Sequence, residues 1–258
     1  CKSTCFILNI MRELEKKPPV FLKANWHNIA MLTYEVPPSV LGKYLPNGLE
    51  LDSWNGKYFV TLVAFVFRKT SIIQIPAFFH RNFEEINLRF YVRKLVDNKM
   101  RRGVVFIKEI VRKPMVTFIA RHFYKENYIT LPTFHNIFIS GQKRKVTYGW
   151  TTSNSDNVIE ITVSGKPSAP KLETLTSFLI EHYWGYSKQK NKTIEYEVEH
   201  IPWRIWEASN YRFECNVSEI YGKKFQPYIT EKPSSVILVE GSSVNVRFGK
   251  ELNSLLSI

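Results

Sequence analysis

The clearest pattern along the chain is a strict alternation of apolar and polar residues over positions 86–93. The even-numbered positions hold Ile, Leu, Phe and Val, and the positions between them hold Asn, Arg, Tyr and Arg. This two-residue period predicts a β-strand with one buried face. Residues 58–67 and 103–111 are apolar at most positions on both faces, which predicts central strands that are covered on each side.

Further strands are predicted along the chain. Residues 146–152 and 158–164 flank a run of Ser, Asn and Asp, and together they predict a hairpin. In residues 194–200 apolar side chains alternate with three glutamates, which predicts a strand with an acidic outer face. A closing hairpin is predicted from residues 236–239 and 244–248, around a Glu-Gly-Ser-Ser turn.

Only three segments favour helices. Two prolines open residues 37–45, and a Pro-Asn-Gly sequence follows them as a stop. Residues 115–124 and 172–184 each place apolar side chains along one helical face. Many strands and three modest helices predict a mainly β (α+β) fold, closed into an antiparallel barrel because closure removes exposed sheet edges.

The length and composition fit one globular domain. A chain of 258 residues with 44% hydrophobic residues is long enough for one core, and residues 11–258 show no repeat or linker that would divide them. Residues 1–10 are predicted to be a disordered or mis-set leader before Met11. No apolar run approaches the roughly 18 residues of a membrane span, and no signal-peptide pattern is present. We therefore predict a cytoplasmic protein without a membrane partner.

The net charge of +13 raises the question of a nucleic-acid partner, because Lys and Arg neutralise phosphates. The basic residues form short clusters in predicted turns, which is typical of solvated loop tips, so no specific nucleic-acid partner is predicted. The three cysteines form no C-x-x-C pair and the six histidines lack ligand spacing, so neither a metal nor another cofactor is predicted. The sequence leaves open whether the chain forms a homo-oligomer.

Four segments carry a family resemblance. Residues 45–52 read LPNGLELD, residues 83–92 read FEEINLRFYV, residues 178–183 read FLIEHY and residues 198–203 read VEHIPW. In order and spacing they resemble the patterns LP-x-GLELD, F-x-E-x-N-x-R-x-Y-V, FL-x-ERY and V-x-H-x-PW of the YqjF-like family of uncharacterised bacterial proteins. That family is related to acetoacetate decarboxylase. One departure is His182, where the family usually has arginine.

The resemblance implies an acetoacetate-decarboxylase-like fold, a cone-like antiparallel barrel with flanking helices around a central cavity. Acetoacetate decarboxylase uses a lysine Schiff base whose pKa is lowered by a neighbouring lysine and by desolvation. The resemblance puts Tyr128 nearest to the place of that lysine, and a tyrosine cannot form an imine. Lys125 is expected to cap a helix end or to lie in solvent. The resemblance therefore implies a shared fold without the lysine pair.

Lys108 and Glu109 interrupt an otherwise apolar strand. Because consecutive strand residues face opposite sides, one of the two is expected to point into the barrel. A buried Lys108 would be a reactive amine, and a buried Glu109 would be a candidate acid or base. The open alternative is a lysine that reaches to water at a strand end beside a surface glutamate.

Glu85 and Arg89 share one face of their strand. The resemblance aligns Glu85 with an acidic residue that lines the decarboxylase cavity, so Arg89 could bind a carboxylate while Glu85 moves a proton. An ion pair outside the barrel is equally compatible with the pattern. His200 and Trp203 belong to an aromatic segment that could wall a pocket or pack at the edge of the core.

Two functions therefore remain, both with a small-molecule ligand in a central pocket. The first is an enzyme that acts on a small carboxylate or keto acid, with Glu85 and Lys108 as catalytic residues. Its ligand-binding residues would be Arg89, Glu109, Tyr128, His200 and Trp203. The second is a non-catalytic module that binds a small ligand and has kept the barrel. The two differ in whether a nucleophile or an acid–base pair lies inside the cavity.

Overall fold

The computed structural model describes residues 17–73, 75–76, 82–114, 116–117, 127–189 and 192–252. The predicted leader over residues 1–10, Lys125 and most of the predicted helix over residues 115–124 lie outside these ranges.

The described residues form sixteen strands and four short helices whose ends are both defined. The strands are β1 Val20–Glu35, β2 Glu50–Leu51, β3 Phe59–Ile72, β4 Ile75–Pro76, β5 Phe83–Val96, β6 Lys99–Val111, β7 Tyr128–Thr130, β8 Thr133–Ser140, β9 Lys143–Thr151, β10 Asp156–Ser164, β11 Trp184–Gln189, β12 Lys192–His200, β13 Ile205–Glu207, β14 Asn210–Glu214, β15 Ser235–Arg247 and β16 Lys250–Glu251. The helices are α1 Pro38–Leu41, α2 Leu175–Ile180, α3 Val217–Ile220 and α4 Gln226–Ile229.

Seven strands close into a barrel in the order β15, β1, β3, β5, β6, β11 and β12, and pairing of β12 with β15 completes the ring. Every neighbouring pair is antiparallel except β6 and β11, which run parallel. The chain between these two strands includes strands β7 to β10 and helix α2, and parallel neighbours need a long connection of this kind. The prediction of a mainly β, closed barrel is confirmed, with this one parallel pair as its exception.

A second sheet covers part of the outside of the barrel. Its order is β14, β10, β9 and β8, and its pairs are antiparallel. Tyr148 and Trp150 of β9 and Ile161 of β10 are fully buried in one hydrophobic cluster with Leu62 and Leu88 of the barrel. The predicted hairpin over residues 146–152 and 158–164 is confirmed as the β9–β10 pair.

Strand β5 is buried on both faces, whereas its sequence predicts one buried face. Its even-numbered apolar residues pack outwards in the cluster that includes the second sheet. Its odd-numbered residues Glu85, Asn87 and Arg89 line a cavity inside the barrel. The predicted alternation is present, but its polar side faces the barrel interior instead of solvent.

A bulge in β6 lies opposite Arg89. Cross-strand partners project to the same side of a sheet, so Glu109 faces inwards with its partner Asn87, and Lys108 faces outwards. On the other side of the bulge Phe106 faces inwards with its partner Arg89. The bulge therefore lets β6 present both Phe106 and Glu109 to the interior.

The predicted closing hairpin is wrong. Residues 235–247 form the single strand β15, which pairs with β1 along nearly its whole length. Gly241, at the centre of the predicted turn, has a φ of +84°, and a Cβ atom there would lie 2.0 Å from the carbonyl oxygen of Trp26. The glycine therefore allows a close approach of two backbones within a strand pair.

The predicted helix over residues 172–184 is shortened to α2. A capping box between Thr174 and Ser177 starts it, and Trp184 already begins β11. The predicted helix over residues 37–45 is present as α1 and a 3-10 turn at Gly42–Tyr44. Helices α3 and α4, of four residues each, are too short to give a periodic pattern.

The predicted acidic outer face of β12 is only partly in solvent. Glu195 is 1% exposed, and it accepts hydrogen bonds from Arg101 at 2.9 Å and from the Tyr186 hydroxyl at 3.1 Å. This glutamate therefore helps to join β12 to its neighbours.

A helix that crosses a membrane has to be both long and apolar. No helix in the described part of the chain meets both conditions.

The barrel packs tightly around Gly185 of β11, where a Cβ atom would lie 2.1 Å from the Tyr196 ring. We expect Gly185→Ala to lower the free energy of unfolding by about 1–3 kcal/mol, because the ring must move. The matched control is Gly42→Ala, since Gly42 has a φ of −52° and nothing within 4 Å of an added Cβ. That control is expected to be neutral or slightly stabilising in urea unfolding. Equal losses in both variants would contradict the prediction.

Candidate functional site

A cavity lies inside the barrel beside the second half of β3 and the first half of β5. Twenty of the described residues line it, of which nine are aromatic, seven are aliphatic and four are polar. The polar residues are Glu85, Asn87, Arg89 and Glu109. Three of them are alternate residues of β5 and the fourth is the cross-strand partner of Asn87 in β6. They therefore form one polar patch in an otherwise apolar cavity.

Two hydrogen bonds hold the carboxyl group of Glu85. The Asn87 Nδ2 donates to Oε1 at 3.0 Å, and the Tyr128 hydroxyl donates to Oε2 at 2.9 Å. Glu85 is 4% exposed. Burial raises the pKa of Glu85 to about 7, although both hydrogen bonds and the charge of Arg89 act in the opposite direction. A carboxyl group with this pKa can accept or donate a proton near neutral pH.

Tyr128 reaches Glu85 because β7 runs parallel to the end of β6. In this pairing Tyr128 lies beside Glu109, and its side chain is buried at the cavity. The residue that the resemblance places nearest to the nucleophile therefore contacts the buried carboxyl group directly. Its hydroxyl acts as a hydrogen-bond donor to Glu85.

Arg89 lies further along the same face of β5 and is half-buried. Its guanidinium carbon lies 6.0 Å from the centre of the Tyr91 ring. Its Nε atom is buried and has no hydrogen-bond partner among the described residues. Both Glu85 and Arg89 line the cavity, so they do not form the ion pair outside the barrel that the sequence left open. A planar guanidinium with an available donor is well suited to binding a carboxylate.

Two more buried polar atoms at the cavity lack a partner within the described ranges. They are the Oδ1 acceptor of Asn87 and the Nε1 donor of Trp26. A buried polar atom without a partner costs about 1–3 kcal/mol, so a ligand that pairs with these atoms gains affinity. Sequence reasoning missed both residues. The alternation in β5 could have indicated Asn87, because it shares a face with Glu85 and Arg89.

Lys108 does not reach the cavity. It lies on the outer face of β6, where its Nζ donates to the carbonyl oxygen of Ile220 at the end of α3. Burial lowers its pKa, but its amine is separated from the cavity by the barrel wall. The expectation that one of the two neighbours points inwards holds for Glu109, which is 1% exposed and lines the cavity. The position of Lys108 therefore does not support the predicted catalytic role.

Trp203 lines the cavity, and His200 stacks on it from outside the lining. Their ring centroids are 3.7 Å apart and the rings are 9° from parallel. The Trp203 Nε1 donates to the Ser242 hydroxyl at 2.9 Å. Burial lowers the pKa of His200. Trp203 thus forms part of the cavity lining, while His200 packs against Trp203.

A second buried polar cluster lies beside Tyr91. The Asp52 Oδ2 lies 3.4 Å from His182 Nε2 and 3.3 Å from Arg102 Nε. The ring of His182 packs on Tyr91 with centroids 4.7 Å apart. Burial lowers the pKa of His182 against the effect of Asp52, which favours the neutral imidazole. Arg102 therefore supplies the guanidinium that contacts Asp52. Position 182, where the YqjF-like pattern usually has an arginine, carries a histidine.

Metal ligands are not grouped in the part of the chain that the structure describes. No three His, Cys, Asp or Glu side chains there come together as a possible metal site. Two such residues, Glu85 and Glu109, are among the described residues that line the cavity, whereas a zinc site uses three or four protein ligands. That the protein uses no metal stays a prediction.

Solved structures share this fold. The acetoacetate decarboxylase of Legionella pneumophila has a TM-score of 0.63 at 12% identity, over 94% of this chain and 91% of that chain. An acetoacetate decarboxylase-like enzyme from Sphingomonas wittichii RW1 has a TM-score of 0.62 at 12% identity, over 91% and 94%. The enduracididine biosynthesis enzyme MppR complexed with pyruvate has a TM-score of 0.62 at 13% identity, over 93% and 92%. At these identities the likeness shows the fold alone, and it confirms an acetoacetate-decarboxylase-like barrel.

Sequence relatives define the family more narrowly. The uncharacterized protein YqjF of Bacillus subtilis (strain 168) is 24% identical over 192 residues, which are 72% of this chain and 76% of that protein. The DUF2071 family of uncharacterized conserved proteins matches residues 23–243, a span that runs from β1 into β15. The resemblance to YqjF-like proteins is therefore confirmed, and the chain belongs to the DUF2071 family.

Proposed function

We propose that the protein binds a small carboxylate or keto acid in the barrel cavity and uses Glu85 to transfer a proton. The observation that carries this proposal is the pairing of two groups in one cavity. Glu85 is a buried carboxyl group with a pKa of about 7, and Arg89 is an arginine whose Nε lacks a partner among the described residues. Arg89 binds the carboxylate of the ligand, and Glu85 acts on the carbon next to the ligand's carbonyl group.

The surrounding residues support these roles. Asn87 and Tyr128 each donate a hydrogen bond to Glu85, so the carboxyl group is oriented before the ligand binds. The apolar walls lower the local dielectric, which strengthens the attraction between Arg89 and a carboxylate. Two of the related folds agree with this ligand class. One solved structure of MppR holds pyruvate, and acetoacetate decarboxylase is named for a keto acid.

The chemistry proposed here needs no lysine. Among the described residues that line the cavity there is none, and Lys108 lies outside the wall. A carboxyl group with a pKa near 7 can remove a proton from the carbon next to a carbonyl group, because it is partly ionised at neutral pH. The reaction class is therefore proton transfer next to a carbonyl group.

The second candidate is a non-catalytic ligand-binding module. The observation that favours it is the lining itself, in which sixteen of the twenty described residues are apolar or aromatic. Such a lining with a few placed polar groups is typical of ligand sites in general. Binding and proton transfer are therefore tested by separate experiments.

Arg89→Gln is expected to weaken the binding of 2-oxobutanoate by about tenfold or more, because a charge-assisted hydrogen bond is lost. Isothermal titration calorimetry measures the change. Arg93→Gln is the matched control, since Arg93 lies on the same strand but outside the cavity lining, beside Glu50. An unchanged affinity in Arg89→Gln would contradict the assignment of the carboxylate to Arg89.

Glu85→Gln is expected to slow deuterium exchange at C3 of 2-oxobutanoate by about a hundredfold or more. In the wild-type protein the rate is expected to rise with pH through about 7, because only the ionised carboxylate removes a proton and its pKa lies there. Proton NMR in D2O follows the exchange. Binding of the keto acid without any exchange in the wild-type protein would favour the non-catalytic module.

Borohydride trapping with β-keto acids and aldehydes, followed by peptide mapping, is expected to give no adduct on Lys108. The reason is that its amine is hydrogen-bonded to Ile220 outside the barrel wall. A decarboxylase that uses an imine serves as the positive control. A specific adduct on Lys108 would show that the amine reaches a bound carbonyl group and would restore its predicted catalytic role.

A further inference from the structure

Five aromatic residues of the cavity form one connected wall. The ring of Trp26 lies 5.0 Å from Phe65, 5.6 Å from Phe67 and 6.2 Å from Trp203, measured between centroids. Phe67 in turn stacks on Phe83 at 4.5 Å. These five side chains all line the cavity. A ligand that touches this wall meets a continuous apolar surface on which rings and alkyl chains pack well.

Four aliphatic residues extend this surface towards solvent. Leu22, Ile72, Val198 and Val246 line the cavity and are each half-buried, as is Trp26, whereas Phe65 is 4% exposed. The four aliphatic residues come from β1, β3, β12 and β15, so they lie on several sides of the cavity. Half-buried apolar residues around a cavity lose water when a ligand covers them, and this favours binding.

The polar side chains among the described lining residues, by contrast, are concentrated on two strands. Glu85, Asn87 and Arg89 lie on β5 and Glu109 lies on β6. These four polar side chains are enough to bind one carboxyl group and the atoms next to it. A ligand as short as pyruvate would fill only this polar patch, and the apolar wall would stay uncovered.

We propose that the natural ligand is a monocarboxylic acid with an apolar chain or ring, longer than the short keto acids. The proposal rests on the proposed function for its carboxylate end, which Arg89 binds. The apolar body lies against the wall of Trp26 and Trp203 and reaches the half-buried aliphatic residues such as Leu22 and Val246. The affinity for the ligand therefore depends on its apolar body as well as on its carboxylate end.

The test is a series of straight-chain acids, butanoate, hexanoate and octanoate, together with the matching primary alcohols. Each added methylene that becomes buried is expected to raise the affinity about fourfold, so octanoate should bind roughly two hundredfold more tightly than butanoate. Tryptophan fluorescence reports binding, because Trp26 and Trp203 line the cavity. The acids are expected to bind more tightly than the alcohols of equal length.

A variant tests where the apolar body lies. Leu22→Ser is expected to weaken octanoate binding roughly fivefold and to leave butanoate binding unchanged, because only the longer chain reaches this residue. Ile73→Ser is the matched control, since Ile73 is 53% exposed and is not among the lining residues. Circular dichroism confirms that both variants are folded. A loss that is equal for butanoate and octanoate would contradict the placement of the chain.

The outcomes separate this inference from the proposed function. If the acids bind through Arg89 but the affinity does not rise with chain length, the inference is overturned and the proposed function stands. If the affinity rises with chain length but the alcohols bind as tightly as the acids, the apolar body is supported and the role of Arg89 is overturned. Tighter binding of 2-oxobutanoate than of octanoate would overturn the inference, and no binding by any compound would overturn both.

Discussion

The burial of β5 on both faces is the constraint on which the rest of the structure depends. Its outward side chains Ile86, Leu88 and Phe90 are fully buried in the cluster that includes the second sheet. Each large apolar side chain that is buried contributes about 1.5–3 kcal/mol, and this offsets the cost of placing polar groups on the inward face. The second sheet therefore stabilises the strand that holds Glu85 and Arg89.

Closure of the barrel then determines the chemistry of these polar groups. Pairing of β12 with β15 completes the wall, and the apolar lining leaves Glu85 in a medium where its charged form is disfavoured. Its pKa rises to about 7 for this reason, even though Asn87 and Tyr128 donate hydrogen bonds to it. The same surroundings strengthen the attraction between Arg89 and an anion. One physical cause, the apolar surroundings, thus raises the pKa of Glu85 and would favour the proposed binding of a carboxylate by Arg89.

A barrel shared with acetoacetate decarboxylase does not by itself fix the reaction. The fold agrees over more than nine-tenths of the chain. In this chain Tyr128 donates a hydrogen bond to Glu85, and the lysine of β6 lies outside the wall. The bulge in β6 matters here because it combines an inward Phe106 with an inward Glu109 while Lys108 faces outwards. A reaction next to a carbonyl group would therefore depend on a carboxyl group where the decarboxylase uses an amine.

Local patterns in the sequence were sufficient to predict the strands β3, β5, β6, β9, β10 and β12, because a two-residue period and long apolar runs are properties of short segments. They failed for β1, whose 16 residues mix polar and apolar side chains and whose pairing with β3 shifts register twice. The sequence alone also placed Glu85 and Arg89 on one face of a strand. Only the tertiary structure decided that this face is the inside of the barrel, that Glu109 and not Lys108 points inwards, and that Tyr128 reaches Glu85. These features depend on strand pairing, on a bulge and on the covering second sheet, which bring together residues far apart in the chain and leave no local pattern.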